Sequence, residues 1–210
     1  MRVLVFGDSI TQGYWDTEGG WVDRLRKSYD ELQVQDLQGR DEPTIFNLGI
    51  SADNTKNILS RIEAETIART RHGDLPIVIV QIGVNDSSTD NGPVQVKLDE
   101  YRQNLQTIIE KMKPLSSKLI FVGLSGCDEA KTTPVVWGNY HYTNEAIKSY
   151  EEAMAAVARE RDIPYIPVFD AFMQQVKNGA NLLPDGLHPN NEGHQLIFEI
   201  VRPQLVKLLV

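Results

Sequence analysis

Apolar residues along this chain follow two alternating patterns: short unbroken runs, and longer stretches spaced at three and four. The runs cover residues 3–7, 44–48, 77–82, 119–124 and 165–169. Each is rich in β-branched and aromatic residues and nearly continuous, which predicts parallel strands covered on both faces. The spaced stretches predict amphipathic helices. They are Trp21, Leu25, Tyr29 and Leu32; Leu98, Tyr101, Leu105, Ile108 and Met112; and Ile147, Tyr150, Met154 and Val157. A last helix should open near Asn191 and carry Leu196, Ile197 and Ile200, with Pro203 ending or kinking it.

Strand and helix alternating throughout predict an α/β domain with helices on both faces of the sheet. No repeat or Pro/Ser-rich linker interrupts residues 1–210, so they read as a single domain. The longest irregular stretch, about 125–140, follows the fourth strand. Its length suits a functional loop as well as a plain surface one.

Composition narrows the partners. A net charge of −8 argues against a nucleic-acid surface, which needs clustered Lys and Arg. The one cysteine, Cys127, excludes an internal disulfide and is expected to be a buried thiol. No apolar run approaches the ~18 residues of a membrane span, and the apolar start is too short for a signal peptide. The expectation is a soluble, cytoplasmic protein.

The first chemical motif is Gly7-Asp8-Ser9-Ile10-Thr11-Gln12-Gly13, directly after the first strand. Open α/β sheets bind ligands at the carboxyl ends of strands, which is where Ser9 falls. The loop also reads as a capped turn or as a phosphate cradle of flavin type, though it lacks the P-loop ending and the dinucleotide spacing. The second motif is Asp185-Gly186-Leu187-His188-Pro189. A histidine base needs its other ring nitrogen held by an acceptor, and an aspartate three residues earlier reaches back across a turn. Two quieter motifs, Asn47-Leu48-Gly49-Ile50-Ser51 and Gly83-Val84-Asn85-Asp86, follow the second and third strands. The N–H groups of Ser9 and Gly49 and the Asn85 amide are candidate donors to a tetrahedral oxyanion.

With these four blocks in this order, the chain resembles the GDSL/SGNH hydrolase family of esterases and lipases. Ser9, Gly49, Asn85 and His188 match the four residues that name it, and Ile10 stands where the family name has leucine. The resemblance implies Asp185 as third member of a Ser9–His188–Asp185 triad. It also implies a flavodoxin-like three-layer α/β/α sandwich whose parallel five-stranded sheet has the order 2-1-3-4-5. The implied activity is hydrolysis of carboxylic esters through an acyl-enzyme, without a cofactor. Short-chain acyl or acetyl esters are expected from the small acidic chain; sugar acetates, thioesters and lysophospholipids are the rivals within the class. With a histidine as base, activity should rise through pH ~6–7 as the imidazole loses its proton. A non-catalytic phosphate- or flavin-binding module is the alternative outside the class.

Tyr14 and Trp15 from the first loop, and Trp137, Tyr140 and His141 from the long one, are candidate substrate contacts. Asp8 is a further candidate, although it and Asp86 fit turn-holding better than acid–base work. His72 and His141 are expected at the surface. His188, Glu192 and His194 fit no strong zinc spacing, so no metal is expected.

Overall fold

Val3, Leu4, Val5 and Phe6 are wholly buried, because the first strand is paired on both edges and covered on both faces. The structure, a computed structural model, describes residues 1–36, 43–71 and 73–209. His72 lies outside the described residues.

The elements in order are β1 (Arg2–Gly7), α1 (Ser9–Gln12), α2 (Gly20–Gln35), β2 (Thr44–Gly49), α3 (Thr55–Arg69), β3 (Ile77–Gln81), β4 (Thr89–Asp90) and α4 (Leu98–Met112). There follow β5 (Lys118–Val122), α5 (Glu129–Thr132), β6 (Tyr140–His141), α6 (Asn144–Glu160), β7 (Tyr165–Ile166), α7 (Phe169–Lys177) and α8 (Asn191–Leu209). Five strands form a parallel sheet in the order β2-β1-β3-β5-β7. The two-residue strands β4 and β6 pair antiparallel outside it. Counting only the sheet strands, this is the expected 2-1-3-4-5 order. Helices pack in two sets, α2 with α8 and α8 with α7, and α3 with α4 and α4 with α6. The α/β/α sandwich is the architecture expected from the sequence.

The helices bury the predicted stripes. Tyr101, Leu105, Ile108, Ile109 and Met112 of α4 are inside, and so are Trp21, Leu25 and Tyr29 of α2. Leu32 and Leu98, at the stripe ends, stay exposed. Helix α3 carries fewer large apolar residues, and its start is set by a capping box on Asn54 and Asn57.

Three features depart from the pattern. The fifth apolar run is strand only at Tyr165–Ile166. Pro167 lacks the N–H that would extend the ladder, and the buried Glu151 carboxylate accepts the N–H groups of Val168 and Phe169, which opens α7. Pro203 does not end α8, which runs through it to Leu209. The buried Ile197, Val201 and Leu205 on either side hold the helix down despite the lost donor. The 125–140 stretch is not irregular throughout, since it contains α5 and leads into β6.

β1 is followed by β2 on one side of it and reached again by β3 on the other. The chain therefore reverses direction across the sheet between β1 and β3. A crevice opens at the carboxyl end of such a switch point, and Ser9 lies two residues beyond β1.

Candidate active site

Asp8 starts the site by capping α1. Its carboxylate accepts the Ile10 N–H at 2.9 Å, and Gly13 closes the helix with a left-handed φ of 92°. The turn places Ser9 at the first helical position, where a backbone N–H has no intrahelical partner. The Asp8 carboxyl thus takes up an N–H that a phosphate cradle would keep for its ligand, which disfavours the flavin-type reading. Beneath the turn, buried Thr11 and Trp21 both donate to Gln81 Oε1 and tie α1 and α2 to β3.

The second motif arrives from the far end of the chain. Asp185 forms a turn in which Oδ1 accepts the N–H groups of Leu187 and His188, with Gly186 at φ 94°. The same carboxylate lies 2.7 Å from His188 Nδ1 through Oδ2. His188 Nε2 is 3.0 Å from Ser9 Oγ, across 179 residues of sequence. Burial pushes the Asp185 carboxyl up, but hydrogen bonds from the His188 ring and from the His188 and Leu187 N–H groups outweigh it. The net pKa is below the ordinary carboxylate value. Asp185 is therefore an ionised acceptor, which places the imidazole proton on Nδ1 and leaves Nε2 to accept from Ser9. Two rings flank the imidazole, Tyr14 edge-on at 4.8 Å between centroids and Trp137 tilted at 5.6 Å.

Asn85 completes a cleft of about 450 Å³ that includes Ser9, Asp185 and His188. Its Nδ2 donates to the Asp53 carbonyl at 2.8 Å, and its Oδ1 accepts from the Tyr142 hydroxyl at 3.0 Å. One amide N–H is left over. The other walls are largely apolar, from Tyr14, Trp15, Ala52, Val136, Trp137 and Leu187, and Ser51 and Tyr142 add hydroxyls. A groove of about 500 Å³ along α2 has charged walls, including Asp23, Arg26 and Lys27, and holds none of the candidate residues.

The structure places Gly49 differently from its expected role. Its N–H donates to Asn47 Oδ1 at 3.0 Å, so it is not free for an oxyanion. A Cβ there would collide with the Gln12 backbone, and this close approach of β2 to α1 is what the glycine serves. The residues of this segment that line the cleft are Ser51 and Ala52, and Ala52, three positions on, has a left-handed φ of 67°. Among the described residues, neither the Ala52 N–H nor the Ser9 N–H meets a protein acceptor. A glycine-centred reading of the second motif overlooked Ala52, because alanine carries no signal of a left-handed backbone.

Of the candidate contacts, Tyr14, Trp15 and Trp137 line the cleft, whereas Asp8, Tyr140 and His141 do not. Asp8 is buried in its cap, and Tyr140 and His141 form β6 against Asp90 and Thr89, exposed at the surface. Asp86 is buried and accepts from the Thr55 N–H at 3.0 Å, which holds the start of α3. Burial raises its pKa to about 7. His194 is buried apart from His188, with Nε2 3.2 Å from the Tyr14 carbonyl; burial lowers its pKa to about 4. Cys127 is buried, and burial pushes its thiol up to about 11.

Comparison with known proteins places this geometry in a family. Residues 5–196 match the GDSL-like Lipase/Acylhydrolase family. A GDSL esterase/lipase of Arabidopsis thaliana is 30% identical over 97% of this chain and 85% of its own length. The isoamyl acetate-hydrolyzing esterase 1 homolog of Homo sapiens is 28% identical over 98% of this chain and 82% of its own. The crystal structure of the lipase/acylhydrolase from Enterococcus faecalis superposes with a TM-score of 0.76 at 22% identity. That match covers 99% of this chain and 96% of the other.

Proposed function

The chain belongs to the GDSL-like lipase/acylhydrolase family of serine ester hydrolases, and from that premise we propose that it cleaves short-chain carboxylic esters, acetates foremost, through an acyl-enzyme on Ser9. The observation that carries this reading is the continuous relay from Ser9 Oγ to His188 Nε2 and from His188 Nδ1 to Asp185.

In the proposed cycle, neutral His188 takes the Ser9 proton at Nε2 while Oγ forms a bond to the ester carbonyl carbon. The carbonyl π pair moves onto oxygen, and the Ser9 N–H, the Ala52 N–H and the free Asn85 N–H receive that charge. The tetrahedral species collapses, the C–O bond to the alcohol breaks, and His188 returns its proton to the leaving oxygen. Water then repeats the sequence and releases the acid. Asp185 stays ionised and stabilises the imidazolium formed in each half-reaction.

The cleft supports a small ester with an apolar alcohol. Beyond the reacting groups, its walls offer mainly aromatic and aliphatic surface, and few polar groups are left to read hydroxyls. The human relative's name, isoamyl acetate-hydrolyzing, describes such an ester for that protein. One observation favours sugar acetates as a second reading. Trp15 and Trp137 border the cleft with 56% and 48% of their surfaces exposed, which suits stacking on a sugar ring.

The test is hydrolysis of p-nitrophenyl esters from acetate to long chain, of isoamyl acetate and of acetylated xylose, by wild type and Ser9→Ala. Fast turnover of short esters and isoamyl acetate, abolished in Ser9→Ala, is expected. Preference for acetylated xylose would select the sugar reading. Turnover surviving in Ser9→Ala would overturn the nucleophile.

A further inference from the structure

Tyr142 stands at the end of the long segment that begins at Ser125, and that segment grips it from several sides. Its N–H donates to the Thr132 carbonyl at 2.9 Å, and its own carbonyl accepts from Thr132 Oγ1 at 2.8 Å. The base of the segment is stapled by Asn144, whose side chain accepts the Cys127 N–H and donates to the Cys127 carbonyl, both at 2.9 Å. Thr132 and Tyr142 are both buried. The phenol is thus presented from a fixed backbone, and it ends 3.0 Å from Asn85 Oδ1. Burial raises its pKa to about 12, so the hydroxyl keeps its proton at neutral pH and can donate it.

The opposite side of the Asn85 amide meets the Asp53 carbonyl. A carbonyl can only accept, and a protonated phenol has a hydrogen to give. These two neighbours distinguish the oxygen end of the amide from the nitrogen end. Asp53 is itself held, since its carboxylate accepts from Arg61 Nε at 2.8 Å and Arg61 also donates to the Leu48 carbonyl at 2.8 Å. Both orienting partners are therefore anchored, one to β2 and one to the 125–142 segment.

Resting on the reading of Asn85 as an oxyanion donor, we infer that Tyr142 is a positioning residue of the oxyanion hole, whose hydroxyl fixes and polarises the Asn85 amide. A donor at Oδ1 draws electron density from nitrogen through the amide and makes the remaining N–H more positive. It also removes the alternative in which the amide rotates and must be reorganised as charge develops. The 125–142 segment, whose length suits a functional loop as well as a plain surface one, then belongs to the catalytic architecture. It supplies Val136, Trp137 and Tyr142 to the cleft wall, and the Tyr142 hydroxyl to the Asn85 amide.

The experiment is a double-mutant cycle of Tyr142→Phe and Asn85→Ala, assayed on p-nitrophenyl acetate. Tyr142→Phe removes one oxygen and keeps the ring that fills the site. We expect kcat to fall on the order of tenfold with KM unchanged. Affinity for an alkyl boronic acid, which forms a tetrahedral adduct on the serine oxygen, should fall by the same factor. In the Asn85→Ala background, Tyr142→Phe should cost nothing further, because the amide it orients is gone. Wild-type kcat in Tyr142→Phe while Asn85→Ala is slow would overturn the inference alone. So would an equal loss in both backgrounds, which would mean that Tyr142 acts elsewhere. Asn85→Ala with wild-type turnover would sink the oxyanion reading of Asn85, and this inference with it.

Discussion

A single carboxylate, that of Asp185, holds His188 at two points: Oδ2 faces ring Nδ1 at 2.7 Å and Oδ1 accepts the His188 backbone N–H at 2.8 Å. One side chain thus sets both the tautomer of the base and the turn that carries it. The two jobs are separable by substitution. Asp185→Asn keeps an oxygen for the backbone N–H groups but cannot offer an acceptor to Nδ1–H as a carboxylate does. It should lower kcat by on the order of 10³–10⁴ while melting near the wild-type temperature. Asp185→Ala should lose the turn as well and melt lower. Kinetics and thermal melts of the two variants check this; an Asp185→Asn enzyme at wild-type rate would remove Asp185 from the mechanism. The depressed carboxyl also stabilises the fold above its unfolded pKa of about 3.9, and that contribution is lost as the pH falls through the still lower folded value.

Asn85 gives one N–H to Asp53 and has another for the cleft. Asn85→Ala should therefore fold and lose roughly 10²–10³ in kcat with a small change in KM, the signature of a group used in the transition state. Steady-state kinetics on a short ester measure this.

Gly49 and Ala52 make opposite predictions. Gly49→Ala drives a methyl into the Gln12 backbone and should destabilise the fold by about 1–3 kcal/mol, shifting α1 and Ser9 with it. Ala52→Gly relieves a left-handed alanine, keeps the N–H and should retain kcat. Ala52→Val puts a β-branched residue at φ 67°, where it is strained, and narrows the cleft. Its activity should fall below that of Ala52→Gly. Loss of activity in Ala52→Gly on a normally folded protein would count against Ala52 as a donor.

The legible part of the fold was the part written in apolar periodicity. The four-residue-or-longer buried runs on β1, β3 and β5 stand out because both faces of a parallel sheet exclude water, whereas β2, at the sheet edge, buries only Ile45 and Leu48. Helices α3 and α7 were not visible that way. The first is carried by its cap, and the second by a buried carboxylate, Glu151, on a different helix. Ser9, Asp185 and His188 could be read because their chemistry demands those residue types next to turn-forming neighbours. Ala52 and Tyr142 could not: one acts through its backbone, and the other through a contact to Asn85 across 57 residues. The sequence also gives no hint that Tyr140 and His141 turn away into β6 while Trp137, from the same segment, faces the cleft.

Asp8 supplies a test that needs no substrate. Burial raises its pKa to about 6, against the pull of the Ile10 N–H and of nearby His188. The folded protein therefore binds a proton that the unfolded chain has already released between about pH 4 and 6. Stability from this group is full below the unfolded pKa and is lost as the pH rises through the folded value. The difference amounts to roughly 3 kcal/mol if the shift is fully expressed. Asp8→Asn keeps an oxygen for the Ile10 N–H, 2.9 Å away, and has nothing to titrate. Its stability relative to wild type should therefore improve as the pH goes from 4 to 8, by up to that amount. Urea denaturation of both proteins at each pH measures the change, and groups common to both, such as His194 with its lowered pKa, cancel in the difference. A constant difference would mean that Asp8 is already ionised at pH 4 in the folded protein. In that case a negative charge would stand permanently behind the nucleophile, close enough to His188 to favour the imidazolium that each step of the proposed cycle creates.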